Sequence, residues 1–224
     1  METWYGLGYP RSANSWVRYI VRTCLNKPEI NVHSVDDVVE RDVYVKRHNL
    51  DLCSAGRNLL LLVRNYKEVI IRHNLEITED KDYNFYNSME KMPDDWTQPA
   101  VSYIHPIYVY DNYREIMSNF CNAENLRKHL VYYEDLVDNP IPTIQNMAKE
   151  MGFCADAFLQ NYEYHRDRSV NAYNTQDEGG SWTKAGDVFP YREKITEDQK
   201  RAWDQHLKTN FPILFDRYLK RYEE

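Results

Sequence analysis

The pattern of apolar and polar positions predicts a strand followed by a helix at the start of the chain. Residues Trp4 to Tyr9 form a short, largely apolar run, as in a β-strand. From residue 16 to residue 24, apolar side chains then recur at helical spacing until Asn26-Lys27-Pro28 ends the pattern. The apolar positions of this predicted helix are Trp16, Val17, Ile20, Val21 and Cys24.

Three further strands are predicted later in the chain. The run from Leu59 to Val63 is continuously apolar, as expected of a strand that is buried on both faces of a parallel sheet. Val43 to Lys46 and Leu130 to Tyr133 are rich in β-branched and aromatic residues, which favour strands. The last of these strands precedes a predicted helix with Gly152 as its C-cap. The apolar stripe of that helix is Ile144, Met147, Ala148 and Met151.

The C-terminal part of the chain is predicted to be helical. Thr196 and Gln199 form a capping-box signature for a helix that carries Trp203 and Leu207. Residues Leu214 to Tyr222 are predicted to form a last helical segment. The tail is therefore expected to pack against the domain.

The alternation of strands and helices predicts a three-layer α/β domain with a mostly parallel central sheet and helices on both faces. Ligands of such domains bind beyond the carboxyl ends of the strands. Residues Glu76 to Pro99 are acidic, contain scattered aromatic residues and show little periodicity. We expect this segment to be a long loop or a helical excursion over one end of the sheet, where it would cover substrate.

Composition restricts the class of protein. The chain has 224 residues and no Pro/Gly/Ser-rich linker or internal repeat, so residues 1–224 are predicted to form a single domain. A formal net charge of -7 disfavours a nucleic-acid partner. We expect a soluble, cytoplasmic protein without a membrane partner, because no leader or membrane span is evident and no room for an anchor precedes the first strand. The four cysteines lack metal or disulfide spacing and are expected to be reduced and mostly buried: Cys24, Cys53, Cys121 and Cys154.

The turn between the first strand and the first helix predicts an anion site. Arg11, Ser12, Asn14 and Ser15 can all donate hydrogen bonds where a helix N-terminus exposes free amides. The turn lacks the glycines and the lysine of a Walker loop, which disfavours an ordinary nucleotide triphosphatase. The alternative interpretation of the Ser and Asn residues is a plain helix cap.

The string Y-P-R-S-A-N-S-W-V resembles the 5′-phosphosulfate loop of sulfotransferases, which is typically Y-P-[KR]-S-G-[NT]-[ST]-W-[LV]. The resemblance implies that Arg11 and Ser12 belong to a nucleotide-binding loop, in which backbone amides near Ala13 to Ser15 hold the 5′-phosphate. Arg11 would stabilise charge on the leaving oxygen. Trp16 would stack on adenine as the family's loop tryptophan does, although core packing is an equally good interpretation.

Arg64 directly follows the predicted strand that ends at Val63. A guanidinium at this place can bind a phosphate through two hydrogen bonds, or can pair with a surface carboxylate. The segment matches L-V-R-N-x-K-[DE]-V, which resembles the sulfotransferase segment that binds the 3′-phosphate of the nucleotide. The family has a serine eight positions after the arginine, whereas this chain has Arg72, which can still donate to the 3′-phosphate.

His48 lies at the end of the predicted strand that contains Lys46. A single histidine is usually a surface or packing residue, but V-x-[KR]-x-H resembles the K-[ST]-H segment of sulfotransferases. The resemblance implies that His48 is the general base for the acceptor hydroxyl and that Lys46 assists at the sulfuryl group. Arg47 replaces the family's hydroxyl residue.

Two later segments extend the resemblance. Residues Val131 to Leu136 resemble V-x-Y-E-D-L, in which we expect the acidic pair to cap and orient structure. Thr183-Lys184-Ala185-Gly186 loosely resembles a loop that closes over the 3′-phosphate, which makes Lys184 a candidate ligand. A solvated lysine is the alternative.

Together, these motifs predict a P-loop-like sulfotransferase that uses 3′-phosphoadenosine 5′-phosphosulfate (PAPS) as co-substrate and needs no metal. The implied reaction is in-line transfer to a hydroxyl, less often an amine, of a small-molecule or carbohydrate acceptor. The alternatives are a P-loop-type kinase and a non-catalytic nucleotide-binding member of the fold. The oligomeric state and the acceptor are left open by the sequence.

Overall fold

The computed structural model describes residues 4–8, 13–26, 44–47, 58–69, 120, 127–175 and 197–223. The chain divides into two compact units. The first comprises Met1–Val63 and Asn119–Ala172, and the second comprises Arg64–Ser118 and Tyr173–Glu224. Each unit is described by itself below, and the single domain predicted for residues 1–224 stays a prediction.

The described strands of the first unit form a four-stranded parallel sheet. They are β1 (Trp4–Gly8), β2 (Tyr44–Arg47), β3 (Asn58–Val63) and β4 (Lys128–Tyr132). Their order in the sheet is β2-β1-β3-β4, and every neighbouring pair is parallel. The predicted α/β class with a mostly parallel sheet is therefore confirmed.

All four strands end at the same edge of the sheet. Leu7 is level with Arg47, the last residue of β2, and Gly8 is level with Leu62 of β3. Val63 is level with Tyr132, the last residue of β4. The chain therefore leaves these neighbouring strands at nearly the same height, which is the place where α/β domains bind their ligands.

The described helices of the first unit are α1 (Asn14–Cys24), α2 (Tyr133–Asp138), α3 (Pro140–Met151), α4 (Asp156–Gln160) and α5 (Tyr162–Thr175), the last of which belongs to this unit up to Ala172. The predicted helix over 16–24 is confirmed as α1. The predicted apolar stripe of α3 is buried along its whole length. Gly152 follows α3 with φ of 78°, the left-handed C-cap conformation that glycine adopts without steric penalty.

The strand predicted to extend to Tyr133 ends one residue earlier, because Tyr133 is the first residue of α2. Glu134 and Asp135 lie in the first turn of this helix, where negative charge interacts favourably with the helix dipole. The backbone carbonyl of Asp135 also accepts a hydrogen bond of 3.0 Å from Thr143 Oγ1 in α3. The acidic pair therefore lies in the first turn of α2 and not at the N-cap position, which is Tyr132, so the predicted capping by these side chains is not seen.

The core of the first unit lies on one face of the sheet. Trp4, Leu60, Leu62 and Val131 point to this face, where α1, α3 and α4 pack against them. The residues that alternate with them along β1 and β3 are buried as well: Tyr5, Leu7, Leu59, Leu61 and Val63. The continuous apolar run of β3 is thus explained by burial on both faces.

The described C-terminal part of the second unit is helical. Helix α6 (Glu197–Asn210) begins directly after Thr196, as the capping-box signature predicts, and buries Trp203 and Leu207. A short helix α7 (Pro212–Leu214) continues as a π-helical stretch and a last 3₁₀ turn that ends at Tyr222. The predicted final helical segment is confirmed, although its geometry is irregular.

Two cysteines lie within the described residues, and both are free thiols. Cys24 is half-buried at the end of α1, whereas Cys154 is exposed. The expectation of mostly buried thiols is wrong for Cys154, because it lies in the short connection between α3 and α4. Cys53, Cys121 and the segment Glu76–Pro99 lie outside the described residues. No helix in the described ranges is long and apolar enough to cross a membrane.

Candidate functional site

The turn after β1 has the predicted arrangement of strand, loop and helix. Strand β1 ends at Gly8, and α1 begins at Asn14 with Ala13 as its N-cap residue. The backbone carbonyl of Ala13 accepts a hydrogen bond of 3.0 Å from the Val17 N–H. Because a methyl side chain cannot accept a hydrogen bond, Ala13 does not cap the helix as serine or asparagine would. Asn14 and Ser15 lie inside the first turn, and Arg11 and Ser12 lie outside the described residues.

Ala13 adopts a left-handed backbone conformation, with φ of 72° and ψ of 13°. The sulfotransferase pattern has glycine at this position, and glycine is the residue that reaches this conformation without steric penalty. A left-handed residue followed by helical residues is typical of backbone nests, in which successive N–H groups converge on an anion. The glycine of the sulfotransferase pattern is a sequence signal for this conformation, although the left-handed residue was not predicted.

Trp16 packs partly buried against the core of the first unit, beside the helix residues Val17 and Ile20. This contact supports the core-packing interpretation of Trp16. Stacking of its indole on adenine stays a prediction.

Strand β2 places the Lys46 segment next to the loop-bearing strand. Lys46 is paired with Gly6 of β1, and Arg47 is paired with Leu7. His48 is the next residue in the chain and lies outside the described residues, as do Arg72 and Lys184.

Arg64 is the first residue after β3 and only 6% of its surface is exposed. A guanidinium buried to this extent needs compensating hydrogen bonds or charges. Its burial shows that Arg64 is not a surface residue, and both a phosphate and a carboxylate could provide this compensation.

A short helical turn, residues 66–69, follows Arg64 and is capped by Asn65. The Lys67 N–H donates a hydrogen bond of 3.0 Å to Asn65 Oδ1, and the Val69 N–H donates one of 3.0 Å to the Asn65 carbonyl. Asn65 thus satisfies donors of the first turn, as N-cap asparagines do. The asparagine of the R-N-x-K pattern therefore has a local structural role.

Lys67 is the centre of a buried polar cluster in the second unit. Its Nζ lies 3.1 Å from Asp204 Oδ1 and donates a hydrogen bond of 2.7 Å to the Tyr222 carbonyl. The Tyr66 hydroxyl donates to the same Asp204 carboxylate. Sequence reasoning missed this cluster, although the lysine belongs to the pattern that identified Arg64.

A second polar contact joins α1 to α5 within the first unit. Tyr19 Oη lies 3.0 Å from His165 Nδ1, and the His165 ring stacks on Phe158 with ring centroids 4.5 Å apart. Partial burial, together with the positive charge of Arg168, lowers the pKa of His165 below its ordinary value of 6.5. The neutral form of this histidine is therefore favoured in the folded chain.

Metal-ligating side chains do not form groups of three or more within the described residues.

Comparisons with known proteins point to one fold. No family model and no curated protein matches the sequence. Among solved structures, the chain is similar to the crystal structure of mouse sulfotransferase SULT7A1 complexed with PAP, with a TM-score of 0.56. The two are 11% identical, and the alignment covers 99% of this chain and 89% of that one. At this identity the likeness shows the fold alone, and the chain therefore has a sulfotransferase-like α/β fold.

Proposed function

We propose that the chain is a sulfotransferase that transfers a sulfuryl group from PAPS to a hydroxyl of a small-molecule or carbohydrate acceptor. The fold is that of a sulfotransferase, and three segments of the sequence resemble the nucleotide-binding and catalytic segments of that family. The proposal includes the cytoplasm as the place of action and requires no metal.

The observation that carries the proposal is the common edge at which β1, β2 and β3 end. Their last residues, Gly8, Arg47 and Val63, lie within two residues of one another in the sheet register. In the sequence, the phosphosulfate-like loop follows β1, His48 follows β2 and Arg64 follows β3. Three motifs that were recognised separately in sequence are thus attached to one edge, as a shared ligand would require.

In the proposed reaction, the acceptor oxygen attacks sulfur while the bond from sulfur to the leaving phosphate oxygen breaks. His48 accepts the proton of the acceptor hydroxyl, an assistance typically worth about 10²–10⁴-fold in rate. Arg11 stabilises the negative charge that develops on the leaving oxygen, and Lys46 assists at the sulfuryl oxygens. Backbone amides of residues 13–15 bind the 5′-phosphate at the start of α1.

The proposed 3′-phosphate ligands are Arg64, Arg72 and Lys184. Arg64 provides a planar fork of donors that suits a phosphate. Arg72 takes the position at which the family has a serine, and Lys184 belongs to the loosely matched late loop.

The test is calorimetric binding of adenosine 3′,5′-bisphosphate (PAP) without magnesium, compared with binding of ATP with magnesium. The wild type is expected to bind PAP and to prefer it over ATP. Hydrogen bonds to charged groups contribute about 1.5–3 kcal/mol, so Arg64→Ala is expected to weaken PAP binding by about 10- to 100-fold. Arg64→Lys keeps the charge but not the planar fork of donors, so its affinity for PAP is expected to lie between those of the wild type and Arg64→Ala.

A melting curve of each variant without nucleotide serves as the folding control, because Arg64 is buried. Absence of PAP binding by the wild type, or preference for ATP with magnesium, would contradict the proposal and favour a kinase.

Catalysis is tested separately with His48→Ala. PAP release from PAPS is followed in the presence of pooled hydroxyl acceptors, and the variant is expected to lose this release while still binding PAP. A protein that only binds nucleotide would show no acceptor-dependent release in the wild type either.

A further inference from the structure

The cluster around Lys67 is a buried set of polar contacts between the segment that follows Arg64 and the C-terminal helices of the second unit. The Lys67 and Asp204 side chains are 5% and 4% exposed. Lys67 Nζ lies 3.1 Å from Asp204 Oδ1, 3.3 Å from Asp204 Oδ2 and 2.7 Å from the Tyr222 carbonyl oxygen. An ammonium group has three donors, and three oxygen atoms surround it here.

The partners of Lys67 are themselves held in place within the second unit. Tyr66 Oη donates to Asp204, and the Tyr66 and Tyr222 rings meet edge to face with centroids 6.4 Å apart. The residue after Tyr222 is Glu223, whose carboxylate pairs with Lys208 of α6. The C-terminal end and α6 thus form one support for the segment that follows Arg64.

This support acts on a segment that cannot be stable alone. The helical turn 66–69 has four residues, and isolated helices of this length do not form in water. Its geometry therefore depends on the Asn65 cap and on the contacts of Tyr66 and Lys67. These three residues follow Arg64 directly, so the contacts that fix them also restrain the backbone of Arg64 within the second unit.

A buried ion pair is a poor means of gaining net stability, because removing two charges from water costs about as much as their attraction returns. Well-packed apolar replacements of similar volume are often neutral or stabilising. Apolar contacts are not directional, whereas hydrogen bonds restrict both the distance and the angle between their partners. The cluster is therefore better explained by orientation than by stability.

We propose that Lys67 and Asp204 are positioning residues that hold the Arg64 segment in the orientation that binds a nucleotide 3′-phosphate. This inference rests on the proposed function, because it assigns the 3′-phosphate to Arg64. It adds a requirement that the C-terminal helices contribute to nucleotide recognition through Asp204 and the Tyr222 carbonyl, without touching the nucleotide.

The experiment measures the contribution of the 3′-phosphate itself. Affinities for PAP and for adenosine 5′-monophosphate (AMP), which lacks the 3′-phosphate, are compared in each variant by calorimetry. The ratio of the two affinities reports the orientation of the 3′-phosphate ligands. General loosening of the fold, in contrast, weakens both nucleotides equally.

Three variants perturb the cluster to different degrees. The triple variant Tyr66→Phe/Lys67→Met/Asp204→Leu replaces the polar side chains with apolar groups of similar volume. Asp204→Asn removes only the charge, and Tyr66→Phe removes only one hydroxyl. The matched control is Asp198→Asn, which breaks an exposed ion pair with Arg201 on the same helix.

The triple variant and Asp204→Asn are expected to lower the PAP-to-AMP affinity ratio by about ten-fold, comparable to one charged hydrogen bond, with AMP affinity unchanged. Tyr66→Phe is expected to lower the ratio by at least about two-fold, since it loses a single hydrogen bond to the carboxylate. Asp198→Asn is expected to keep the wild-type ratio. If the triple variant and Asp204→Asn do not fold, the affinity ratio of Tyr66→Phe tests the positioning role.

A folded variant of the cluster that keeps the wild-type ratio, or that loses PAP and AMP affinity equally, would overturn the positioning role. The proposed function fails by a different result, in which the wild type does not bind PAP or Arg64→Ala keeps the wild-type ratio. If Arg64→Ala lowers the PAP-to-AMP affinity ratio but the cluster variants keep the wild-type ratio, the positioning role is refuted and the proposed function is not.

Discussion

The left-handed conformation of Ala13 makes a quantitative prediction about its replacement by glycine. For an L-residue this conformation costs about 1–2 kcal/mol, and Ala13→Gly removes that cost. Glycine loses about 0.5–1 kcal/mol more chain entropy on folding than alanine. Loss of the partly buried Ala13 methyl costs a fraction of the about 0.8 kcal/mol that a fully buried methylene contributes. At their central values, these terms give a net stabilisation of about 0.3 kcal/mol, and their limits run from about 0.8 kcal/mol of destabilisation to about 1.5 kcal/mol of stabilisation.

The matched control is Ala148→Gly, in the interior of α3 and in the same core. This alanine has a right-handed helical conformation, so the substitution relieves no strain. Glycine in a helix interior costs about 1 kcal/mol, and loss of the buried methyl adds up to about 0.8 kcal/mol. The same chemical change is thus expected to be about 1–2 kcal/mol more destabilising at residue 148 than at residue 13, because only Ala13→Gly relieves left-handed strain.

The assay is thermal unfolding of both variants without nucleotide. In a chain of this length, 1 kcal/mol corresponds to about 2–4 °C in Tm. Ala148→Gly is expected to lower Tm by about 2–7 °C, whereas Ala13→Gly, at the central values above, is expected to raise it by about 1 °C. Equal decreases in Tm for the two variants would refute the assignment of left-handed strain to Ala13.

Two further predictions follow from the perturbed pKa values. Burial, together with neighbouring Cys154, raises the pKa of Cys24 to about 12, so at pH 8 only about one molecule in 10⁴ carries the reactive thiolate there. Brief treatment with iodoacetamide followed by peptide mass spectrometry is therefore expected to show labelling of exposed Cys154 and not of Cys24; equal labelling would contradict the burial of Cys24. The lowered pKa of His165 means that, just below pH 6.5, the unfolded chain binds more protons at this residue than the folded chain. Its contribution to stability is thus complete above pH 6.5 and decreases as the pH falls towards the folded-state pKa. The free energy of unfolding of His165→Gln is therefore expected to depend less steeply on pH between pH 7 and pH 5.5 than that of the wild type. An unchanged slope would contradict this prediction.

Much of the fold was predictable because the signals are local. The apolar stripe of α3 and the Gly152 cap specify a helix and its end through contacts between near neighbours in the chain. The apolar run of β3 predicts a strand with two buried faces in the same way. Helix α5 was not predicted, because its residues are mainly polar and lack a helical stripe. Its described anchor is His165, which contacts Tyr19 of α1 across 146 residues.

Some features of the candidate site were likewise predictable from local sequence patterns, and others were not. By itself, the sequence predicted which segments would carry anion-binding chemistry, because Arg11, Lys46, His48 and Arg64 occur in short strings that resemble known motifs. It also determined that these segments follow strands. Chain-local patterns suffice for both conclusions, since a motif and the strand before it are adjacent in the chain.

Only the tertiary structure decided how these segments are arranged and supported. The strand order β2-β1-β3-β4 brings the ends of β1, β2 and β3 to one edge, and no local pattern specifies that order. The pairing of Lys67 with Asp204, 137 residues away, likewise appears only in the folded chain. The physical reason is that local preferences depend on neighbouring residues, whereas strand order, register and buried charge pairs depend on which distant segments share one core.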